Sequence, residues 1–554
     1  MVSILIDYKL QRFTREIKYS LGFIFQSLGY GFRFITDVEE LKPNDIFLIY
    51  GFTEPAEADL KAIAAHCIAF FIQCDPDLYE PKAYNPERIS RSLKEIKLLF
   101  KIPVIASKPF HHPAENYTET GIHAGKINFD LVGNVFFHLS RKEHDLHPQG
   151  QEDAPLPDEA SAFFGSREVP IVDSLLWLLD SMIKEHARSK KIPLAQKLYW
   201  PQGQEAAVIL SHTVDDLQKW DLSSLVLSIA DDFTLFFTFK WRQLLHILWG
   251  KLQYLFTNYE LYWNFEEFRR LERENNFRST YYLATERSME IDYSLDDTDL
   301  QEELRQIMSD GSEVGLLITN DKLNRDDMMT RKQILLHLVN ADQIGIRHLG
   351  YPYYPKLKEL HQKLNPAFSQ TTAFKEVPGF FSACSLPFHP YQNGKVDYLE
   401  LPTLYRDQHL KVTKHKYLSL DDAKQQIKKF FQITLRTHGV FSTDFSMASF
   451  CDIHYCQKLY PYILALVKTA PTWVTTAREL ATWWTKRSKV TIEEDEYEIS
   501  LYFPEEIEHF GIQVISDRKI KEITGIPAKQ DGNLVRFANV KAESIAVIRF
   551  VQPS

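Results

Sequence analysis

The segment 206–216, AAVILSHTVDD, constrains the fold more than any other part of the sequence. It is an apolar run of strand length that leads into His212 and Thr213 and ends in two adjacent carboxylates, Asp215 and Asp216. A buried strand that delivers acidic side chains at its carboxyl end is how barrel and α/β enzymes build metal and acid–base sites. The segment therefore predicts a buried strand with a candidate site at its end.

Composition places the chain among ordinary globular proteins. Of its 554 residues, 25% are charged and 44% are hydrophobic. The net charge of −10 comes without a basic block, so nucleic acid is not an expected partner. Five cysteines without a CxxC pair predict neither a disulfide framework nor a zinc ribbon. The first residues read as a β-strand rather than a signal peptide, which predicts a cytoplasmic protein.

Strand-like and helix-like segments alternate along most of the chain, which predicts an α/β protein. Residues 1–110 are predicted to form an N-terminal α/β domain, whose last strand includes 104–106. Residues 111–198 are predicted to be a connecting helical segment and linker. Residues 199–488 are predicted to form a parallel sheet or barrel, and 489–554 a small β-rich domain.

The segment 233–256 is the one candidate for contact with a membrane. It is rich in Phe, Leu and Trp, but it contains Lys240, Arg242 and Lys251, which would be costly at the centre of a bilayer. Its apolar residues recur at spacings of three and four, which predicts an amphipathic helix and no transmembrane segment. We predict that this helix packs on the rest of the protein, with peripheral membrane contact through 233–256 as the alternative.

Several motifs, taken in order, resemble the polysaccharide deacetylases of carbohydrate esterase family 4. The closer match is a branch with an extra N-terminal α/β domain, found with surface-polysaccharide genes. Its Ser-His-Asp-Val-Asp strand end is matched by 211–216, its aromatic-Asn-Phe helix start by 262–265, and its Gly-x-Arg strand by 345–347. The resemblance covers most of the chain. It implies a distorted (β/α) barrel of polysaccharide-deacetylase type, with an N-terminal α/β domain and a small C-terminal β-rich domain.

The resemblance also implies metal-assisted hydrolysis of an amide, but the residues that carry this chemistry are changed. In the family, an Asp and two His of a His-x-x-x-His motif hold a divalent ion, a second Asp is the base, and a late His is the acid. Here Thr213 stands at the base position, Leu317 at the first His, and Ser446 at the acid. These departures predict a degenerate site with no expected cofactor.

A second alignment leaves an active site open. If 213–216 matches the family pattern Thr-Phe-Asp-Asp, Asp215 is the catalytic base and Asp216 a metal ligand. Asp321 would then complete a carboxylate-rich site. The protein would be a metal-dependent N-deacetylase that uses zinc or, given its oxygen ligands, magnesium.

The other candidate residues have structural interpretations beside their functional ones. Arg347 is a candidate catalytic residue, but a structural ion pair with Asp215 or Asp216 is an equal alternative. His212 and His348 are candidate substrate-binding residues, or hydrogen-bonded residues of the core. The expected function is a catalytically degenerate glycan-binding or scaffolding module in surface-polysaccharide biosynthesis or modification. Its expected partners are glycans or polysaccharide-biosynthesis proteins.

Overall fold

The structure is a computed structural model. It describes residues 1–53, 67–80, 86–106, 124–146, 156–218, 241–257, 260–320, 325–392, 396–413, 416–450 and 455–552, together with a few single residues between these ranges.

The N-terminal region contains a five-stranded sheet in the order β2-β1-β3-β4-β7, and every pairing in it is parallel. The strands of this region are β1 (Val2–Ile6), β2 (Phe32–Ile35), β3 (Ile46–Gly51), β4 (Ile68–Gln73), β5 (Leu93–Lys97), β6 (Lys101–Ile105) and β7 (Ala124–Ile127). The strand predicted at 104–106 is not part of this sheet, because β6 pairs with β5 in a separate antiparallel hairpin. The fifth strand is β7, which the sequence places in the connecting segment.

The central region contains a nine-stranded sheet in the order β14-β13-β12-β11-β10-β9-β18-β15, with β19 also paired to β9. The strands from the linker through this region are β8 (Leu194–Lys197), β9 (Ala206–Val214), β10 (Thr280–Leu283), β11 (Glu313–Ile318), β12 (Ile346–His348), β13 (Phe368–Ser369), β14 (Leu399–Glu400), β15 (Tyr405–Arg406), β16 (Lys411–Thr413), β17 (Lys416–Tyr417), β18 (Val440–Asp444) and β19 (Thr472–Thr475). All pairings within the nine-stranded sheet are parallel.

This parallel sheet is curled. Four inter-strand steps separate β12 from β18, which is about 19 Å on a flat sheet. Yet the Arg347 guanidinium in β12 lies 2.7 Å from the Asp444 carboxylate in β18. The two side chains can meet only across the concave side of the sheet. The predicted distorted (β/α) barrel is confirmed by this strand order and curvature.

The C-terminal region consists of two antiparallel four-stranded sheets, β20-β21-β26-β23 and β24-β25-β22-β8. Its strands are β20 (Thr491–Glu494), β21 (Glu498–Phe503), β22 (Ile507–Ile515), β23 (Ile520–Thr524), β24 (Lys529–Asp531), β25 (Leu534–Val540) and β26 (Ser544–Phe550). The rings of Phe503, Phe510 and Phe537 contact one another within this region. The predicted β-rich C-terminal region is confirmed, and β8 from the linker completes one of its sheets.

Helices cover the sheets, and most of the side chains that they bury are apolar. The helices of the described residues are α1 (Thr14–Leu28), α2 (Pro86–Ser92), α3 (Leu131–Leu139), α4 (Lys142–Leu146), α5 (Ile171–Lys190), α6 (Trp241–Thr257), α7 (Phe265–Glu274), α8 (Thr298–Ser309), α9 (Arg325–Val339), α10 (Pro355–Leu364), α11 (Leu420–Arg436), α12 (Cys456–Val467) and α13 (Ala477–Lys489).

Candidate functional site

A buried arginine occupies the interior of the barrel. Arg347 is fully buried, and its guanidinium spans the space between β12, β9 and β18. Its Nη1 donates to an Asp444 carboxylate oxygen at 2.7 Å and to the Thr213 hydroxyl at 3.2 Å. Its Nη2 donates to the Ser211 hydroxyl at 2.6 Å and to the Gln370 side-chain carbonyl at 2.7 Å. Every N–H of the two terminal nitrogens is therefore used.

The partners of Arg347 are themselves held in place. The Gln370 amide donates to the Ser442 hydroxyl at 2.7 Å, and its carbonyl also accepts from the Tyr282 hydroxyl at 2.8 Å. The Asp444 carboxylate accepts from the Thr213 hydroxyl at 2.9 Å and from the Tyr351 hydroxyl at 2.9 Å. Buried polar groups of this kind are costly unless they are paired, and here they satisfy one another.

The charge of Arg347 is maintained despite burial. Burial alone would lower the pKa of Arg347, but the Asp444 carboxylate raises it above its ordinary value overall. The guanidinium carbon also lies 3.9 Å from the centre of the Tyr282 ring, which adds a cation–π contact. The interior therefore holds a permanent positive charge on Arg347, paired with the Asp444 carboxylate, and the Arg406 Nε lies 3.9 Å from that same carboxylate. The ion pair anticipated for Arg347 does form, but with Asp444 rather than Asp215 or Asp216.

Three positions at which this sequence differs from the catalytic residues of the family that it resembles all lie in or beside this interior. The Thr213 hydroxyl donates to Asp444, so it acts as a donor and cannot take a proton as a base. Leu317 is fully buried and offers no ligand atom. The Ser446 hydroxyl and backbone N–H both donate to the Asp407 carboxylate, at 2.5 and 3.1 Å. None of the three side chains can perform the role that its position has in the family.

Asp215 and Asp216 follow β9 at the carboxyl edge of the barrel. Asp215 is partly exposed, and its carboxylate accepts the backbone N–H of Asp216 at 2.9 Å. Burial of the carboxyl group, with a further effect from Asp216, raises the pKa of Asp215 from 3.8 to about 8. At pH 7 Asp215 is therefore mostly protonated and suited to donate a proton rather than to bind a cation. Asp216 is exposed, and Asp321 lies outside the described residues.

His212 points to the outer face of the sheet, because neighbouring residues of a strand face opposite sides. It is fully buried between β9 and helix α7. Its Nδ1 lies 3.0 Å from the Phe445 carbonyl oxygen, so Nδ1 donates, and its Nε2 lies 2.8 Å from the Glu272 carboxylate. Glu272 also accepts from Tyr460 at 2.6 Å and from Ser279 at 2.7 Å. The structure thus places His212 in a core network and apart from Arg347.

His348 is likewise buried away from solvent. Neither of its ring nitrogens has a hydrogen-bond partner among the described residues. Burial, together with the neighbouring His361, holds the pKa of His348 well below its usual range, so the ring is neutral. The two rings stack with their centres 6.0 Å apart. Both predicted substrate-binding histidines are fully buried in this structure.

The barrel interior does not fit a catalytic divalent cation. Such a site needs about three ligand atoms and an open position. In the interior, Thr213 and Asp444 are engaged with Arg347, and Leu317 contributes only methyl groups. In the part of the chain that the structure describes, no group of three or more His, Cys, Asp or Glu side chains is placed to hold a metal ion.

Two carboxylates that matter here were not singled out from the sequence. Asp444 ends β18 and Asp407 follows β15, both at the carboxyl edge where Asp215 lies. Burial, with the charge of Asp444, raises the pKa of Asp407. A signal for Asp444 was available, since 440–444 (VFSTD) is a second short apolar run that ends in a carboxylate. No such strand pattern marks Asp407.

Comparison with known proteins gives likenesses of fold alone. No protein-family model matches the sequence, and no curated protein does. Among solved structures, one described as a polysaccharide deacetylase from Mycobacterium smegmatis is 15% identical, with a TM-score of 0.36 over 52% of this chain and 92% of that one. The PuuE allantoinase is 12% identical, with a TM-score of 0.36 over 52% of this chain and 92% of that one. The carbohydrate deacetylase Agd3 is 9% identical, with a TM-score of 0.37 over 100% of this chain and 99% of its own.

Proposed function

We propose that the protein is a catalytically degenerate module with a polysaccharide deacetylase-like fold. It binds glycan, or scaffolds partner proteins, in surface-polysaccharide biosynthesis or modification. The observation that carries this proposal is the buried Arg347 guanidinium in the barrel interior, where it donates to Asp444, Thr213, Ser211 and Gln370. A divalent ion in this interior would be repelled by the buried charge and would have to take Asp444 from its partner.

A cleft outside the barrel interior offers room for a glycan. It has a volume of about 320 Å³ and lies where the barrel strands begin, beside Glu205 and His438. Helix α5 contributes Trp177, which is 41% exposed, and the ion pair of Asp180 with Lys184. An exposed indole ring next to charged hydrogen-bonding groups suits the flat apolar face and the hydroxyls of a sugar.

The test is a calorimetric titration of the protein with neutral and N-acetylated oligosaccharides. We expect Trp177→Ala to weaken binding by roughly ten-fold or more, about 1.4 kcal/mol. Trp249→Ala, which removes an exposed tryptophan of helix α6, is the matched control and should bind as the wild type does. If no oligosaccharide binds, or if Trp177→Ala binds unchanged, this cleft is not a glycan site.

The second candidate function is that of an active metal-dependent N-deacetylase. The observation in its favour is Asp215, which is partly exposed at the carboxyl edge beside Asp216. Metal analysis of the purified protein separates the two candidates. A stoichiometric zinc or magnesium ion that is lost in Asp216→Asn would favour the hydrolase. A wild-type protein without a stoichiometric metal ion would favour the degenerate module.

A further inference from the structure

Helix α6 has two apolar faces, and one of them is uncovered. Leu244 and Ile247 are buried, whereas Leu245 is 65% exposed and Trp249 is 59% exposed. At 100° per residue, the exposed positions fall within an arc of about 100°, next to a separate arc that contains the buried Leu244 and Ile247. The exposed stripe consists of Trp241, Leu245, Leu248, Trp249 and Leu252.

The exposed stripe continues into the residues before the helix. Phe233, Phe236, Phe237 and Phe239 are between 45% and 77% exposed, and the Phe236 ring contacts Trp241 edge to face at 4.6 Å. The described part of the chain exposes eighteen large hydrophobic side chains, and nine of them lie between 233 and 252. Single exposed apolar residues need no explanation, but a contiguous patch marks an interaction surface.

The charge of this segment differs from that of the whole chain. Between Phe233 and Thr257 the sequence contains Lys240, Arg242 and Lys251 and no acidic residue, although the net charge of the protein is −10. A second copy of this segment would bring two basic stretches without acidic residues together, which disfavours a symmetric dimer. Trp, Phe and Leu beside Lys and Arg is the composition of helices that lie in the interface of anionic membranes.

We propose that the exposed stripe of α6 binds in the plane of a membrane that carries anionic headgroups. The aromatic and leucine side chains enter the boundary between headgroups and acyl chains, and the basic residues Lys240 and Arg242 supply the attraction to the lipid phosphates. With 17 residues the helix is about 25 Å long, and only its outer face is available because Leu244 and Ile247 remain in the protein. No helix in the described ranges is long and apolar enough to cross a bilayer, so the contact is peripheral.

Co-sedimentation of the full chain with vesicles tests this proposal. One set of vesicles contains phosphatidylcholine alone, and the other also contains phosphatidylserine. We expect at least ten-fold tighter binding to the anionic vesicles, weakening as salt is raised. The double variant Leu245→Ser with Trp249→Ser should lose at least ten-fold in affinity while keeping the circular dichroism melting curve of the wild type. Trp177→Ser, which changes an exposed tryptophan outside the stripe, is the control and should bind as the wild type does.

Three results would overturn the proposal. One is wild-type protein that stays in the supernatant with both kinds of vesicle, and another is vesicle binding that the double variant retains. The third is a wild-type dimer in solution that the double variant converts to a monomer, because a second copy would then cover the stripe. The charge-reversed variant Lys240→Glu with Arg242→Glu should lose the preference for anionic vesicles. If that preference survives, the headgroup contact is refuted.

Discussion

The barrel interior and helix α6 differ in the burial and pairing of their side chains. In the interior, Arg347 and Asp444 are buried and their bonding groups are paired within the protein. On α6, Trp249 and Leu245 are left in solvent although they would gain from burial. The barrel interior has little bonding capacity left, whereas helix α6 has apolar area uncovered. We therefore expect partners to contact the surface of this chain rather than its barrel interior.

The largest effect is expected from breaking the interior ion pair. Arg347→Met removes the cation that hydrogen-bonds the buried Asp444 carboxylate and leaves only Arg406, whose Nε lies 3.9 Å from that carboxylate. We expect this to cost about 3–5 kcal/mol of the free energy of unfolding. Urea denaturation followed by tryptophan fluorescence measures it. Arg549→Met, which removes an exposed arginine paired with Glu498 and Glu522, is the control and should cost about 1 kcal/mol or less. Adding Asp444→Asn to Arg347→Met should restore part of the loss. Equal effects of the two arginine variants would contradict the assigned role of the interior pair.

The outer face of β9 is expected to be nearly as sensitive. Glu272→Gln replaces with a neutral amide the carboxylate that His212, Tyr460 and Ser279 all contact. We expect a loss of about 1–3 kcal/mol in the free energy of unfolding. The measurement is the same denaturation curve. Glu274→Gln, at an exposed position of the same helix, should change stability by less than about 0.5 kcal/mol. A stable Glu272→Gln protein would mean that His212 is not held by this network.

Asp215 should make the stability depend on pH. Its folded pKa of about 8 lies above its ordinary 3.8, so the folded state holds the proton more tightly. The stabilisation is complete below about pH 4 and is lost as the pH rises towards 8. Asp215→Asn should therefore match the wild type at pH 4 and be more stable at pH 8. Because Asp215 is partly exposed, we expect a difference of about 1–2 kcal/mol. Thermal melts across this pH range measure the difference, with Asp296→Asn as the exposed control. If the two variants show the same pH dependence, the raised pKa of Asp215 is contradicted.

The smallest effect on folding is expected at the exposed stripe. Leu245→Ser with Trp249→Ser removes more apolar surface than Arg347→Met, yet both side chains are mostly in solvent. The free energy of unfolding should change by no more than about 0.5 kcal/mol, measured by the same denaturation curves. A loss comparable to that of Arg347→Met would show that the stripe is packed in solution and that the contrast between the two regions does not hold.

The strand pattern made much of the fold predictable. The apolar run at 206–216 is β9, and 313–317 falls within β11, because fully buried parallel strands leave continuous apolar sequence. The fifth N-terminal strand was missed, since 124–127 (AGKI) has no comparable run. Its place depends on pairing with β4, a long-range contact that local pattern does not encode.

The candidate site was predictable in part. Thr213, Leu317 and Arg347 could be placed at one end of the sheet from the order of their strands. The partner of Arg347 could not, because Asp215, Asp216 and Asp444 all lie at the carboxyl ends of strands. Only the curvature of the sheet decides which of these carboxylates the guanidinium reaches. The face of His212 follows from strand alternation, but its partner Glu272 lies on a helix 60 residues later.

The proposed function requires that the barrel with its Arg347–Asp444 pair has no hydrolytic activity. The direct measurement is acetate release from N-acetylated oligosaccharides by the wild-type protein in excess zinc or magnesium, beside Asp215→Asn. We expect no release above that of the protein-free solution for either protein. Metal-dependent release by the wild type that Asp215→Asn abolishes would contradict it.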